Sequence, residues 1–377
     1  MTSDLKNVVI VGVGLAAADL IHQLVSKLPS THRVVAVSSS DFAFWAPAAL
    51  RAAVVPGWEG APIVELDRLL PKGSRHRLIS NTTVVELHQN HVILSKDDGE
   101  FGNKLEFEYI ILATGSKYAF PCRPKEGSIT ASDVINQFKH TQQEVADSKS
   151  ILIVGAGPVG IEFAAEVASQ HPGKKITLVS NGDKLLPDFR PAVGQGLESQ
   201  LRKLGVEIVY DAKVDIDGLQ TGKIEPKDFE LGSSGSARAD YVMIAIGNKP
   251  NTSLVSKFDP SSVNDSGLIK CKPTLQLESH DNMFAIGDVT DTNETKLYYN
   301  STFHVPIIVA NVVSLAGDQT SLKTYQPRGH SVIVVTCGPS GGMSQLPVLG
   351  LVVGSWVTAL AKSKGLMVSK FRSAYNY

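Results

Sequence analysis

A chain of 377 residues is too long for one ordinary hydrophobic core and suffices for two or three domains. Its 43% hydrophobic and 19% charged residues exclude a disordered or multi-spanning chain, and a net charge of −1 gives no general attraction to nucleic acid. Three scattered cysteines, Cys122, Cys271 and Cys337, form no CxxC, which argues against a disulfide scaffold, a zinc ribbon and a dithiol redox centre.

The opening MTSDLKN runs straight into a strand, so no signal or transit peptide is expected, and Thr2 stands where myristoylation needs glycine. No apolar run has the length of a secure membrane span, and the scattered cysteines lead us to expect a reduced, intracellular, cytoplasmic setting.

The first element, VVIVGVGLAAADLI (8–21), predicts a buried strand, a tight turn and a helix. Its loop, Gly12, Val13, Gly14, Leu15, Ala16 and Ala17, fits GxGxxG/A. Gly12 serves the turn, Gly14 admits a pyrophosphate to the backbone, and Ala17 allows close helix–sheet packing. The next strand, RVVAVSSSD, ends at Ser38, where such folds usually carry an acid for the adenosine ribose. A third strand, YIILATGS, breaks at Thr114 and Gly115.

SILIVGAGPVGIEFAAEVA (150–168) repeats the opening design with Gly155, Gly157 and Gly160, and KKITLVSN then ends at Ser180, again without an acid. YVMIAIGNKPN breaks at Gly247, and NMFAIGDVTD places Asp288 just beyond Gly287. Two glycine loops at domain spacing imply two dinucleotides, most simply FAD and NADH or NADPH. The expected fold is α/β, with two interleaved Rossmann-like, glutathione-reductase-like domains and a small C-terminal α+β domain. Residues 1–117 and 252–327 form the FAD-binding domain, 118–251 the NAD(P)H-binding domain and 328–377 the C-terminal interface domain. No metal site is expected.

ILATGS, AIGNKPN and FAIGD stand in the order found in FAD-dependent pyridine nucleotide oxidoreductases, which the chain resembles over nearly its whole length. PAALRA, LLPD, FAIGDVTD and KSKGLMVSKF are most similar to the AMID branch, relatives of apoptosis-inducing factor and of the ferroptosis-suppressor quinone reductases. The resemblance implies that Gly12 and Gly14 line the FAD pyrophosphate. It places Arg51 on the flavin nucleotide, the Val84 backbone on the adenine and Asp288 on the ribityl or phosphate end. It also puts Glu162 near the nicotinamide; the alternative is a first-turn glutamate favoured by the helix dipole.

In KLYYNSTFHVPIIVANVV, the family's helix leading away from the flavin ring, Lys296 either supports charge on the ring or is a solvated lysine. His304 matches a family histidine, with a packed helix residue as the alternative, and Pro306 should end or kink the helix. Ser38 implies looser retention of FAD. Ser180 leaves NADH and NADPH both open, with NADH favoured by the resemblance.

Without a local cysteine pair, reduced flavin must pass electrons directly to an acceptor such as a quinone. A redox-sensing signalling protein and a dedicated secondary-metabolism oxidoreductase are the rival readings. LPVLGLVVGSWVTALA (346–361) carries no charge and leads into Lys362 and Lys364. Its glycines and proline favour a strand–helix pair burying its apolar face in the body or against a twin subunit; peripheral membrane contact is the alternative.

Overall fold

The computed structural model describes residues 5–329, 332–347 and 350–377. Its first sheet has the strand order Gln276–Leu277, His280–Ala285, Tyr109–Leu112, Lys6–Val11, His32–Val37, Arg77–Ile79. From His280–Ala285 to Arg77–Ile79 every neighbouring pair is parallel. Apolar runs suit such strands because both faces are covered. Val8 and Ile10 pack with helix Leu15–Lys27 and helix Tyr298–Ala316, while Val9 and Val11 pack with a three-stranded meander, Val84–Leu87, His91–Leu94 and Lys104–Glu106.

The second sheet runs Val206–Val209, Lys175–Val179, Ser150–Val154, Ser236–Ile244, Gly222–Glu230, with only the last strand antiparallel to its neighbour. Helix Pro158–Gln170 follows its first strand as helix Leu15–Lys27 follows Lys6–Val11. The two sheets are joined by a pair of crossings in contact. Ser116–Lys117 pairs antiparallel with Lys249–Pro250, Thr114 Oγ1 donates to the Asn251 carbonyl at 2.6 Å, and Asn251 N–H donates to the Gly115 carbonyl at 2.8 Å. The chain therefore leaves and re-enters the first sheet at one place.

A third, antiparallel sheet consists of Ile333–Cys337, Gly341–Gln345 and Val352–Val353. The α/β class, the paired dinucleotide-binding folds and the small C-terminal α+β unit agree with the sequence-based expectation.

Helix Tyr298–Ala316 does not end at Pro306; the proline lies on its exposed side, where water can satisfy the carbonyl one turn back. The C-terminal apolar stretch does not bury its large side chains in the body of its own chain. Trp356 is 80% and Leu360 75% exposed, and Leu351 is exposed beside them. The inward positions of this turn carry small hydroxyl residues instead. Thr358 Oγ1 bonds Ser344 Oγ at 2.7 Å, and Ser363 Oγ donates to the Gly341 carbonyl at 2.6 Å. A Cβ on Gly342 would lie 2.6 Å from Thr358 Cγ2, so the approach is too close for larger groups. Val348 and Leu349, within the same stretch, lie outside the described residues.

Candidate active site

The glycines of the two loops divide by what surrounds them. Gly12 has φ 95°, and a Cβ there would sit 2.5 Å from the Ala113 carbonyl oxygen. Gly155 has φ 109°, and its Cβ would meet Ile246 and the Ala245 carbonyl, while one on Gly160 would collide with the Gly155 carbonyl. Packing and backbone explain these three. Gly14 and Gly157 are different: both are extended, and a Cβ on either meets nothing within 4 Å. Glycine at these two positions leaves a cradle a Cβ would fill, beside a helix start without a side-chain cap. Open first-turn N–H groups suit a dinucleotide diphosphate, so the residues of both cradles fit such a group. Around the first, Val13, Leu15 and Ala17 are buried and Ala16 half-buried.

Ser38 and Ser180 occupy the same position in the two folds. Each is buried, and each hydroxyl accepts from an N–H two residues on, Ser40 at 3.4 Å and Gly182 at 3.2 Å. Both therefore close the turn after the second strand.

Strands Lys6–Val11, Tyr109–Leu112 and His280–Ala285 are adjacent and parallel, so Gly12, Thr114–Gly115 and Gly287–Asp288 gather at one sheet edge. Gly115, Gly247 and Gly287 all have positive φ. Asp288 accepts from Ser116 Oγ at 2.8 Å, and Arg123 Nη2 lies 3.7 Å from the same oxygen. Lys296 turns back on its own segment, donating to the Thr292 carbonyl at 2.7 Å and to Thr292 Oγ1 at 3.2 Å. Burial pushes its pKa down, against the opposing pull of Glu294, Asp288 and Asp291. Val84 packs in one cluster with Val11, Leu112 and Ala285 from the ends of these strands, and lines a cavity of about 250 Å³ with Val85, Ser253, Leu254 and Lys257.

His304 is buried and tied to the same turn. Its Nε2 lies 2.7 Å from Glu294 Oε1, Tyr325 donates to Glu294 Oε2 at 2.5 Å, and Gly287 N–H donates to His304 Nδ1 at 3.4 Å. Burial alone would raise the Glu294 pKa; the bonds from His304 and Tyr325 outweigh it and hold the carboxyl at about 2.

Helix Pro158–Gln170 buries two carboxylates one turn apart. Glu162 accepts from Lys362 Nζ at 2.7 Å and from Thr336 N–H at 2.9 Å. Glu166 is gripped by Arg51 through Nε at 2.9 and 3.0 Å and Nη2 at 2.6 Å. Arg51 also donates to the Lys364 carbonyl at 3.3 Å and lies over the Trp58 ring. Burial raises the Glu166 pKa against the opposing effect of Arg51. Lys362 and Glu166 escaped the sequence reading, since nothing local in the pattern links Lys362 to Glu162 or Glu166 to Arg51. All three cysteines are free, and burial pushes Cys122 and Cys337 up to about 12 and Cys271 higher still.

The family model described as pyridine nucleotide-disulphide oxidoreductase matches residues 6–304. The chain belongs to that family. Membership makes it an oxidoreductase of the FAD- and NAD(P)H-using kind. It is 28% identical to apoptosis-inducing factor homolog B of Dictyostelium discoideum over 100% of this chain and 98% of that one. It is 31% identical to ferroptosis suppressor protein 1 of Taeniopygia guttata, covering 86% and 84%. Its fold matches the sulfide:quinone oxidoreductase of Aquifex aeolicus with TM-score 0.73 and 18% identity, covering 98% and 92%. Among the described residues, no helix is long and apolar enough to cross a membrane.

Proposed function

We propose that this oxidoreductase passes electrons from NAD(P)H to a quinone-type acceptor without a thiol relay. The observation that carries the reading is one short segment. Trp356 and Leu360 stand exposed on it, and Lys362, two residues further, is bonded to Glu162 on the second glycine-loop helix. An apolar acceptor meeting Trp356 and Leu360 is thereby brought to the chain that touches the nicotinamide side. The turn between them, Ala359–Ser363, is π-helical, a geometry frequent at functional sites. The three cysteines are free, and burial raises the pKa of Cys122 and Cys337, which supports transfer without a sulfur carrier. The resemblance to ferroptosis-suppressor quinone reductases supports the same acceptor.

In this reading the Gly12–Ala17 loop holds the flavin diphosphate, Ser38 the adenosine ribose and the Val84 backbone the adenine. Asp288 and the Thr114–Gly115 turn border the ribityl chain, with Gly247 at the matching edge of the second sheet. Gly155, Gly157 and Gly160 receive the nicotinamide dinucleotide. Arg51 orients the flavin side through its neighbours, Glu162 and Lys362 set the charge at the nicotinamide side, and Lys296 sits near the start of the helix Tyr298–Ala316. Bound FAD supplies a ring that takes up hydride and releases electrons singly or in pairs.

Ser180 removes the carboxylate that would repel a 2′-phosphate, so both nicotinamides are accepted, with NADH preferred. The domain division is 1–117 with 252–327, 118–251 and 328–377. The exposed Trp356–Leu360 surface makes peripheral membrane contact or pairs two copies.

Steady-state kinetics with NADH and NADPH against quinones of increasing chain length, with and without vesicles, tests this. A W356D/L360D variant should lose efficiency with lipophilic quinones about ten-fold or more and keep it with a water-soluble dye. Equal losses with both acceptors, or no turnover with any quinone, would overturn the reading.

A further inference from the structure

The last residues of the chain do more than finish the third unit. After Ser363 the chain reverses through Leu366 and Met367, which both have left-handed backbone (φ 49° and 57°). Non-glycine residues hold such conformations only where the surroundings over-determine them. The reversal carries residues 364–377 away from the third sheet and onto the first one. There, Tyr375 is completely buried, and its hydroxyl donates at 3.1 Å to the carbonyl of Val13, inside the first glycine loop.

The neighbouring contacts converge on the same place. Trp45 Nε1 donates to the Leu366 carbonyl at 2.7 Å, and the Trp45 ring stacks on Phe371 at 5.8 Å. Tyr298 meets Trp45 edge-on and donates to Asp19 on the first helix, while His22 of that helix bonds the Ala374 carbonyl at 2.8 Å. Arg51 reaches the Lys364 carbonyl. Every element touched belongs to the flavin side of the fold.

We infer that residues 364–377 are a clasp for the flavin diphosphate, with Tyr375 as a positioning residue that sets the Val13–Gly14 peptide; the inference rests on the reading that this loop holds FAD. The physical link is the planarity of the peptide. A trans peptide points its C=O and N–H in opposite directions, so the carbonyl tied to Tyr375 turns the Gly14 N–H away from the tail. Losing the hydroxyl leaves a buried carbonyl unpaired and frees the peptide to rotate, which disorders a donor beside the diphosphate. A ring that merely filled space would need no hydroxyl here.

The test uses the FAD-loaded full-length protein. Flavin release is followed by the fluorescence of freed FAD after dilution, well below the melting temperature. Y375F should release FAD about ten-fold faster, with nicotinamide affinity unchanged. Y210F, which removes a tyrosine hydroxyl bond to Glu198 on the second unit, should release FAD at the wild-type rate. A merely structural role would lower the melting temperature of Y375F and leave release from the folded protein unchanged. Wild-type release by Y375F, while G14V fails to retain FAD, overturns the clasp and leaves the loop reading standing. Wild-type retention by G14V overturns the loop reading and the clasp with it.

Discussion

Gly14 and Gly157 separate a packing requirement from a ligand requirement within one short motif. A side chain on Gly12, Gly155 or Gly160 strikes the protein itself, so substitution there perturbs folding before binding. At Gly14 and Gly157 the protein offers no obstacle. G14V and G157V should therefore fold with melting temperatures close to wild type while losing different cofactors. G14V should emerge without the yellow flavin spectrum, whereas G157V should keep it and weaken nicotinamide binding by about a hundred-fold or more, read by titrated bleaching of the flavin band. Loss of flavin from G157V with retention in G14V would reverse the assignment of the two loops.

At the scale of elements, the turn 287–296 and the helix Tyr298–Ala316 are joined by a buried carboxylate. Glu294 binds His304 from the helix and Tyr325 from the segment after it, and His304 in turn accepts from Gly287. The Glu294 pKa is about 2 in the folded protein against an ordinary 4.5. The folded value is the lower one, so this stabilisation is fully present above about pH 4.5 and is lost as pH falls towards 2. A shift of this size corresponds to about 3 kcal/mol. Urea unfolding at pH 6 and pH 3 should show about 2 kcal/mol of that contribution lost in the wild type, whereas E294Q should be less stable at pH 6 and flatter between the two. Equal acid sensitivity of both proteins would mean that the carboxylate is not the group that titrates. The same scale explains the C-terminal turn. Close approach to the strand Gly341–Gln345 admits only threonine and serine inward, which pushes Trp356 and Leu360 to the surface.

Across the whole molecule, helix Pro158–Gln170 is the point where three units meet. Its Glu166 is held by Arg51 from the first unit and its Glu162 by Lys362 from the third, with each partner of the Arg51–Glu166 pair 3% exposed. Removing one member of a buried pair strands the other charge and costs about 3–5 kcal/mol. E166A should lose stability in that range, and its calorimetric transition should separate into more than one, because the cation that ties the first unit to the second loses its anchor. E166A with the wild-type transition would show that the pair contributes nothing to cohesion between units.

Much of this architecture is legible in residue order. The strand–glycine–helix pattern recurs at 8–21 and 150–168 because a buried parallel strand, a tight turn and an amphipathic helix each leave a local signature. The positive-φ glycines at 12, 115, 155, 247 and 287 follow from the same local rules. Position alone could not say what the charged residues face. Arg51 meets Glu166, Glu162 meets Lys362, and Tyr375 meets the Val13 carbonyl, all pairs far apart along the chain. Likewise, Ser38 and Ser180 read as missing acids, whereas the fold uses both hydroxyls to close a turn.

By itself, then, the amino-acid order determined the class of fold, the two cradles and the lack of a local sulfur pair, because those depend on short-range sterics and spacing. Only the tertiary structure decided which carboxylate each cation neutralises, which apolar side chains remain outside, and that the tail returns to the first loop. Those outcomes depend on which surfaces exclude water together, a property of the assembled chain and of no single stretch of it.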